Sequence, residues 1–203
     1  MIEEFTKLIP ETLKNKSGAV FYSGRNAFQG NKDLYILGLN PGGSEIEQEA
    51  DTIFGHTDRV LTEKGPNWSE YKDEIWKGVK QGDSPLQLRV CHLLDILKLS
   101  PYEVPSSNLC FVRSSNEEKI SRKLSEYMEL CWPFHEKVID ELKVKVILCF
   151  GKTAGNFVKF KIHANNHVDD FVENNDRKWR TDIFKNSDGQ IVMLSTGINE
   201  TEE

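Results

Sequence analysis

The chain has 203 residues and a net charge of −6, enough for one domain that buries a full hydrophobic core without staples. No apolar stretch approaches the ~20 residues of a membrane span, and the acidic, amphipathic N-terminus is not a signal peptide, so the sequence predicts a cytoplasmic protein. The acidic balance argues mildly against general nucleic-acid affinity, although a local basic groove depends on the local field and not on the sum. The four cysteines, Cys91, Cys110, Cys131 and Cys149, include no CxxC pair; they read as buried thiols and not as metal or iron–sulfur ligands.

Residues 3–16 carry Phe5, Leu8, Ile9 and Leu13 at helical spacing. Residues 34–39 form a nearly continuous apolar run, suited to a strand buried on both faces. From 43 to 82 the sequence is polar and irregular, with Gly65-Pro66 as a breaker. Ser84-Pro85 opens a helix that runs to about Leu99, with Leu86, Val90, Leu93, Leu94 and Leu97 inward. Residues 108–112 are the second strand. A helix over 115–142 follows, opened by the capping-box-like Ser115-Asn116-Glu117-Glu118 and broken or kinked at Trp132-Pro133. Residues 144–150 are the third strand, closed by Gly151, and 153–160 a short helix. Residues 163–180 look loop-like, and Asp188-Gly189 between two apolar runs signals a hairpin whose second arm, 191–194, is the fourth strand. This alternation predicts a single α/β domain over 1–203: a three-layer α/β/α sandwich around a central, mostly parallel, four-stranded sheet.

Ligands in such sheets bind beyond the carboxyl ends of the strands. The residues there are Asn40-Pro41-Gly42-Gly43, Arg113-Ser114-Ser115, Gly151-Lys152-Thr153 and Ser195-Thr196-Gly197. A nucleotide fingerprint is absent: Asn40-Pro41 interrupts any GxGxxG, and Val146 stands where a P-loop before Gly151-Lys152-Thr153 needs glycine. The chain also lacks HExxH, GxSxG and a paired-carboxylate motif.

The run Gly38-Leu39-Asn40-Pro41-Gly42 after a strand resembles the first motif of the uracil-DNA glycosylase superfamily, in the Asn form of its mismatch-specific and single-strand-selective branches. Asn108-Leu109-Cys110 is similar to the segment carrying that family's pyrimidine-recognition Asn. Cys131-Trp132-Pro133-Phe134, then Val138, Ile139, Leu142 and the run VKVILCFGKTA, is similar to its C-P-L helix, strand and GxxA stretch. The resemblance extends from about residue 34 to residue 157. It implies a monofunctional DNA glycosylase, a monomer without cofactor or metal. Such an enzyme flips uracil or a modified pyrimidine out of the stack and hydrolyses its N-glycosidic bond, leaving an abasic site.

The resemblance also implies roles. Asn40, held by Pro41, orients the attacking water through its side-chain carbonyl, a contribution of positioning. Gly42 and Gly43 let phosphate and sugar approach the backbone. Asn108 pairs with the pyrimidine edge, since an amide both donates and accepts. Phe54, followed by Gly55, stacks on the flipped base, and neighbouring His56 reads as a solvated loop residue. Arg113 and Lys152, at strand ends, suit phosphate contact, while Lys64 and Arg122 read as surface charges. Trp179 among Arg177, Lys178 and Arg180 is the basic–aromatic cluster of the chain.

Where the family carries His-Pro-Ser after its last strand, this chain has Ser195-Thr196-Gly197-Ile198-Asn199. Stabilising the leaving base anion then falls to Ser195, Thr196 and backbone N–H groups, and Ile198 is the apolar wedge that fills the gap in the stack. No cysteine precedes Cys91, which excludes the iron–sulfur branches. Two other readings stand beside repair of uracil: a glycosylase for a bulky hypermodified phage pyrimidine in defence, and an inactive nucleic-acid-binding relative. In the leading reading Asn40, Phe54, Asn108 and residues 195–198 converge on one cleft, with Asn40 and Asn108 within roughly 15 Å because a base pocket is small.

Overall fold

The structure is a computed structural model that describes residues 2–76, 80–174 and 176–196. Strands β1 (Leu34–Gly38), β2 (Ser106–Asn108), β3 (Val146–Phe150), β4 (Asn166–Val172), β5 (Arg180–Lys185) and β6 (Ile191–Ser195) form one sheet in the order β2-β1-β3-β6-β5-β4. β2, β1, β3 and β6 run parallel; β5 and β4 extend the sheet antiparallel beyond β6. The expected four-stranded sheet is therefore six-stranded. The Asp188-Gly189 hairpin is present: Asn186 Oδ1 accepts from the N–H groups of Asp188 and Gln190, and Gly189 supplies a φ of +88°. β4 escaped the sequence reading because it is exposed along its whole length, so its residues carry no apolar period.

The second strand also differs from expectation. Its ladder covers Ser106–Asn108, one step earlier than the apolar run. Leu109, Cys110 and Phe111 then pass into the core, fully buried, with Phe111 O accepting from Ala19 N–H at 3.0 Å. The N-terminal helix is shorter than its apolar spacing suggests: α1 spans Ile2–Thr6, and after Pro10 only a 3-10 turn, Glu11–Leu13, continues. The insertion at 43–82, expected to be irregular, contains α2 (Ile53–Thr62) and α3 (Glu70–Asp73).

Helix α4 (Pro85–Ile96) begins as expected, with a Ser84/Gln87 capping box and Pro85 in its first turn. It ends at Ile96, and Leu97 lies outside the core at 49 % exposure. Helix α5 (Glu117–Glu141) runs unbroken through Pro133. Pro133 and Glu129 are on the exposed side of the helix, so the carbonyl freed by the missing N–H meets water while buried Trp132 and Phe134 hold that turn to the sheet. Helix α6 (Lys152–Lys161) follows Gly151, whose φ is +93°.

Alternation along the strands sends side chains to two faces. Tyr35, Leu37, Ile147, Cys149, Val192 and Leu194 pack with α5 and α6. Leu34, Ile36, Leu148 and Phe150 pack with Val90 and Leu94 of α4 and Tyr71 of α3. Helices thus cover both faces of the sheet. No helix among the described residues is long and apolar enough to cross a membrane.

Candidate active site at the strand ends

Gly38 is opposite Asn108 in the β1–β2 ladder, Leu37 is opposite Cys149 between β1 and β3, and Phe150 is opposite Ser195 between β3 and β6. The last residues of four parallel strands therefore form one row: Asn108, Gly38, Phe150, Ser195. At the usual strand spacing the row spans about 14 Å. Leu34 and Ile36 face the α4 side, so Gly38 does too. The Asn108 amide lies across it: a Cβ at Gly38 would overlap Asn108 Oδ1.

Asn40 stands two residues past Gly38. Its Nδ2 donates to Pro41 O at 3.0 Å and Ser114 O at 3.3 Å. Both amide protons are thereby engaged, and Oδ1 makes no hydrogen bond with any described residue. Two residues of chain beyond Gly38, which is opposite Asn108, keep the Asn40 Cα within about 12 Å of that of Asn108.

Asn108 is 5 % exposed, and its Nδ2 has no partner in hydrogen-bonding geometry among the described residues, although the Tyr22 hydroxyl is near enough to feel it. Among the described residues, the other buried side-chain polar atom in that condition is His56 Nδ1. An unpaired buried donor costs about 1–3 kcal/mol, and such exceptions mark places where something else completes the bonding. The backbone that carries Asn108 is held from below. Buried His135 in α5 donates from Nε2 to Leu109 O at 3.2 Å and accepts at Nδ1 from the Tyr35 hydroxyl at 2.8 Å. Burial lowers the His135 pKa to about 3, so it is neutral and this tautomer follows, since a carbonyl can only accept.

A cluster of Tyr22, Tyr71, Trp76 and Glu70, which sequence reasoning did not find, stands beside β2, where Tyr22 N–H donates to Ser106 O. Tyr22 is half-buried against Tyr71 and Trp76, with ring centroids 5.9 and 6.2 Å away. Its hydroxyl lies under the influence of both the Glu70 carboxyl and the Asn108 amide, and burial, then Glu70, raises its pKa. Glu70 accepts from Trp76 Nε1 at 2.7 Å. Burial raises its pKa to about 7, against the Trp76 hydrogen bond, with Glu74 adding to the rise and Lys64 opposing it. Tyr22 and Glu70 come from segments without a motif, joined by Glu70 N–H donating to Tyr22 O at 2.9 Å. No local sequence signal marks that pairing.

His56 is on the inner side of α2, 9 % exposed, and is not a solvated loop residue. Burial lowers its pKa to about 4, with Arg59 and Arg113 acting in the same sense and Asp51 against. Phe54, from the same helix, is 58 % exposed. It lines a shallow hollow with Thr6, Ile9, Lys14, Thr57, Asp58 and Leu61, none of which belongs to the strand-end row.

Arg113 does not present its guanidinium to solvent. It is 8 % exposed, and its three nitrogens donate to Ser17 Oγ at 3.1 Å, Gly42 O at 2.7 Å and Asp51 Oδ2 at 2.6 Å. The expected phosphate ligand is thus a brace for the Gly42-Gly43 loop. That loop is exposed; the space beside Gly42 is empty, while Gly43 has φ +106° and Gln48 Oε1 occupies its Cβ position. Lys152 is exposed on the first turn of α6, and its ammonium makes no bond to any described residue.

At the end of β6 two neighbours diverge. Ser195 is 8 % exposed, and its carbonyl accepts from Gly151 N–H at 2.7 Å. The Thr196 hydroxyl accepts from Arg180 N–H at 3.0 Å and donates to Arg180 O at 2.9 Å. It closes the β5–β6 hairpin, which leaves no hydroxyl proton for a leaving base. Ile198 lies outside the described residues. Trp179 is flanked by Arg177 at 4.8 Å and Arg89 of α4 at 5.4 Å. The structure therefore gathers Asn40, Asn108 and Ser195 at the strand ends and sets Phe54 in a separate hollow.

Compared with known proteins, the chain matches no family model and no curated sequence.

Proposed function

We propose that the protein is a monofunctional DNA glycosylase acting on uracil or a modified pyrimidine flipped from DNA. One observation carries the reading: the Asn40 amide is tied to two carbonyls, which leaves Oδ1 without a partner among the described residues, two residues beyond the strand position opposite Asn108, whose buried Nδ2 is likewise unpartnered among them. A carbonyl oxygen in that position accepts a hydrogen bond from a water and aims its lone pair at the sugar C1′. The C1′–N1 bond breaks as the base departs with the electron pair, the water oxygen bonds C1′, and its proton passes to solvent. Because the sugar is cation-like at that point, orientation matters more than basicity, and positioning supplies several kcal/mol. Asn108 Nδ2 donates to a base carbonyl. Phe150, in the row between Asn108 and Ser195, offers an apolar floor, a part that the sequence reading gave to Phe54. Gly42, with open space at its backbone, and Lys152 are the candidates for phosphate contact.

We read the helices on both faces of the sheet as a three-layer α/β/α sandwich, a single domain that works as a cytoplasmic monomer without cofactor or metal. Oligonucleotides bearing uracil, hydroxymethyluracil or glucosylated hydroxymethylcytosine, incubated with the protein and then with alkali, test both activity and base. Strand breaks with the first two fit repair; breaks with the third alone fit defence against phage. Asn40→Ala is expected to retain fold and DNA binding and to lose excision by about two to four orders of magnitude. Wild-type excision by Asn40→Ala would show Asn40 to be a turn residue only. A wild-type protein that binds such DNA and excises nothing is the nucleic-acid-binding relative.

A further inference from the structure

We propose, resting on that reading, that Arg177 and Arg89, seated on Trp179, grip the phosphate backbone of the DNA strand a few nucleotides from the flipped base. The topology sets them there. β5 is antiparallel to β6, so its first residue, Arg180, stands at the carboxyl end of the parallel strands. Thr181 is opposite Ser195, and Thr196 N–H donates to Arg180 O at 3.1 Å. Trp179 precedes Arg180 and lies just past that end, where Glu173 N–H donates to Trp179 O at 2.8 Å and closes the β4–β5 connection. The indole meets α4: the Arg89 guanidinium is 5.4 Å from its centroid, and that of Arg177 is at 4.8 Å. Phe150 faces α4 as well, and Met193, two residues before Ser195, packs on the same cluster, so Ser195 turns that way too. The Trp179 cluster and the strand-end row thus share one end and one face of the sheet.

The charges indicate what it takes. The chain is acidic overall, so a polyanion needs a local cationic patch. Arg113 does not supply it, since its guanidinium is spent on Ser17, Gly42 and Asp51. Arg180 is held by Asp170 and Asp182. Arg177 and Lys178 are exposed on the β4–β5 connection and Lys152 on the first turn of α6, with Glu173 and Asp176 the opposing charges nearby in sequence. A guanidinium drawn to an indole face keeps its N–H donors in its own plane, and that planar fork matches two phosphate oxygens. Trp179 is then a positioning residue: it orders two long side chains whose rotamer freedom would otherwise be lost on binding. From β1, which carries Asn40, to β5 is three strand spacings, about 14 Å. A DNA strand advances about 3.4 Å per nucleotide, which sets the contact about four nucleotides from the flipped one.

The test uses the full chain and a fluorescein-labelled single-stranded oligonucleotide with 2′-fluorodeoxyuridine at its centre, a sugar that resists excision because fluorine disfavours the cation-like state. Affinity is read by anisotropy over about 50–200 mM salt for wild type, Arg89→Ala, Arg177→Ala, Arg177→Lys, Trp179→Ala and Trp179→Tyr, with urea midpoints alongside and excision of uracil scored separately. Arg89→Ala and Arg177→Ala should each weaken binding several-fold and reduce the slope of log K against log salt by about 0.7 in magnitude. Arg177→Lys should restore the slope. Trp179→Ala, which removes no charge, should weaken binding more than either arginine variant, and Trp179→Tyr should recover most of it. A purely structural indole would lower the urea midpoint and leave affinity alone. Trimming the oligonucleotide to about two nucleotides on each side of the central base should erase the difference between wild type and Arg177→Ala. Wild-type affinity and slope in Arg177→Ala, or a difference that survives trimming, overturns the proposal, whether or not uracil is excised. If wild type binds and excises nothing, the glycosylase reading fails alone and the slopes still decide; if it binds no DNA, both fall.

Discussion

Arg113→Ala separates two roles that a basic residue at a strand end can have. Arg113 is 8 % exposed and spends all three nitrogens on Ser17, Gly42 and Asp51. Removing one partner of a buried ion pair costs about 3–5 kcal/mol when the other is stranded. Here Asp51 keeps a second cation, Arg59, and its side chain is 27 % exposed. Ser17 Oγ keeps its bond to Gln48 O at 2.7 Å, and the Gly42 carbonyl is at the surface. These offsets bring the expected loss to about 2–3 kcal/mol. Arg113→Lys should recover only part, because an ammonium cannot span three acceptors in a plane. Urea unfolding at pH 7 reads this loss as a lower midpoint with unchanged slope. DNA affinity as a function of salt reads the alternative. A phosphate ligand contributes about one unit to the slope of log K against log salt and little to stability. An Arg113→Ala protein with the wild-type unfolding midpoint and a salt slope reduced by one would refute the brace.

Gly38→Ala places a Cβ on Asn108 Oδ1, so it should displace Asn108 and cost about 1–3 kcal/mol; like Asn108→Ala, it is expected to blunt discrimination among pyrimidines under the proposed activity, and excision rates on paired substrates check it. Thr196→Val should weaken the hairpin end by about 1 kcal/mol and leave excision within roughly threefold of wild type, since its hydroxyl is committed to Arg180; a loss beyond tenfold would return Thr196 to the chemistry. Acid should destabilise the fold early: His56 and His135 have pKa values lowered from 6.5 to about 4 and about 3, so the unfolded chain binds the extra protons. Their contribution is fully present above pH 6.5 and is lost as pH falls toward 4 and 3, which thermal melts between pH 7 and 4 should show as a falling Tm.

The parallel half of the sheet was legible because its strands are buried on both faces. Residues 34–38 and 146–150 are continuous apolar runs, and nothing else such runs can do hides so many side chains. The exposed β4 was not, because an edge strand held by backbone pairing with β5 has no side-chain pattern to read. α5 shows the opposite error. Pro133 is a strong local signal for a break, yet buried residues on either side of it outweigh the one bond it removes.

At the site, sequence indicates where strands end but not which way side chains turn once they have passed the end. Asn40 and Asn108 come together because adjacent parallel strands end in one row, a consequence of topology. The sequence sets Arg113 at a strand end, but in the structure β2 stops at Asn108, and the partners that consume Arg113, Ser17 and Asp51, are 96 and 62 residues away. Phe54 and His56 show the same limit within one helix. Two residues apart, they turn to different sides of α2, and the histidine, not the phenylalanine, is the one drawn toward Arg113 and Asp51. Glu70 is the hardest case. In sequence it is one acid among many in a polar insertion. Its raised pKa comes first from burial, among Tyr22, Tyr71 and Trp76, so that property arises from packing and has no sequence signature of its own.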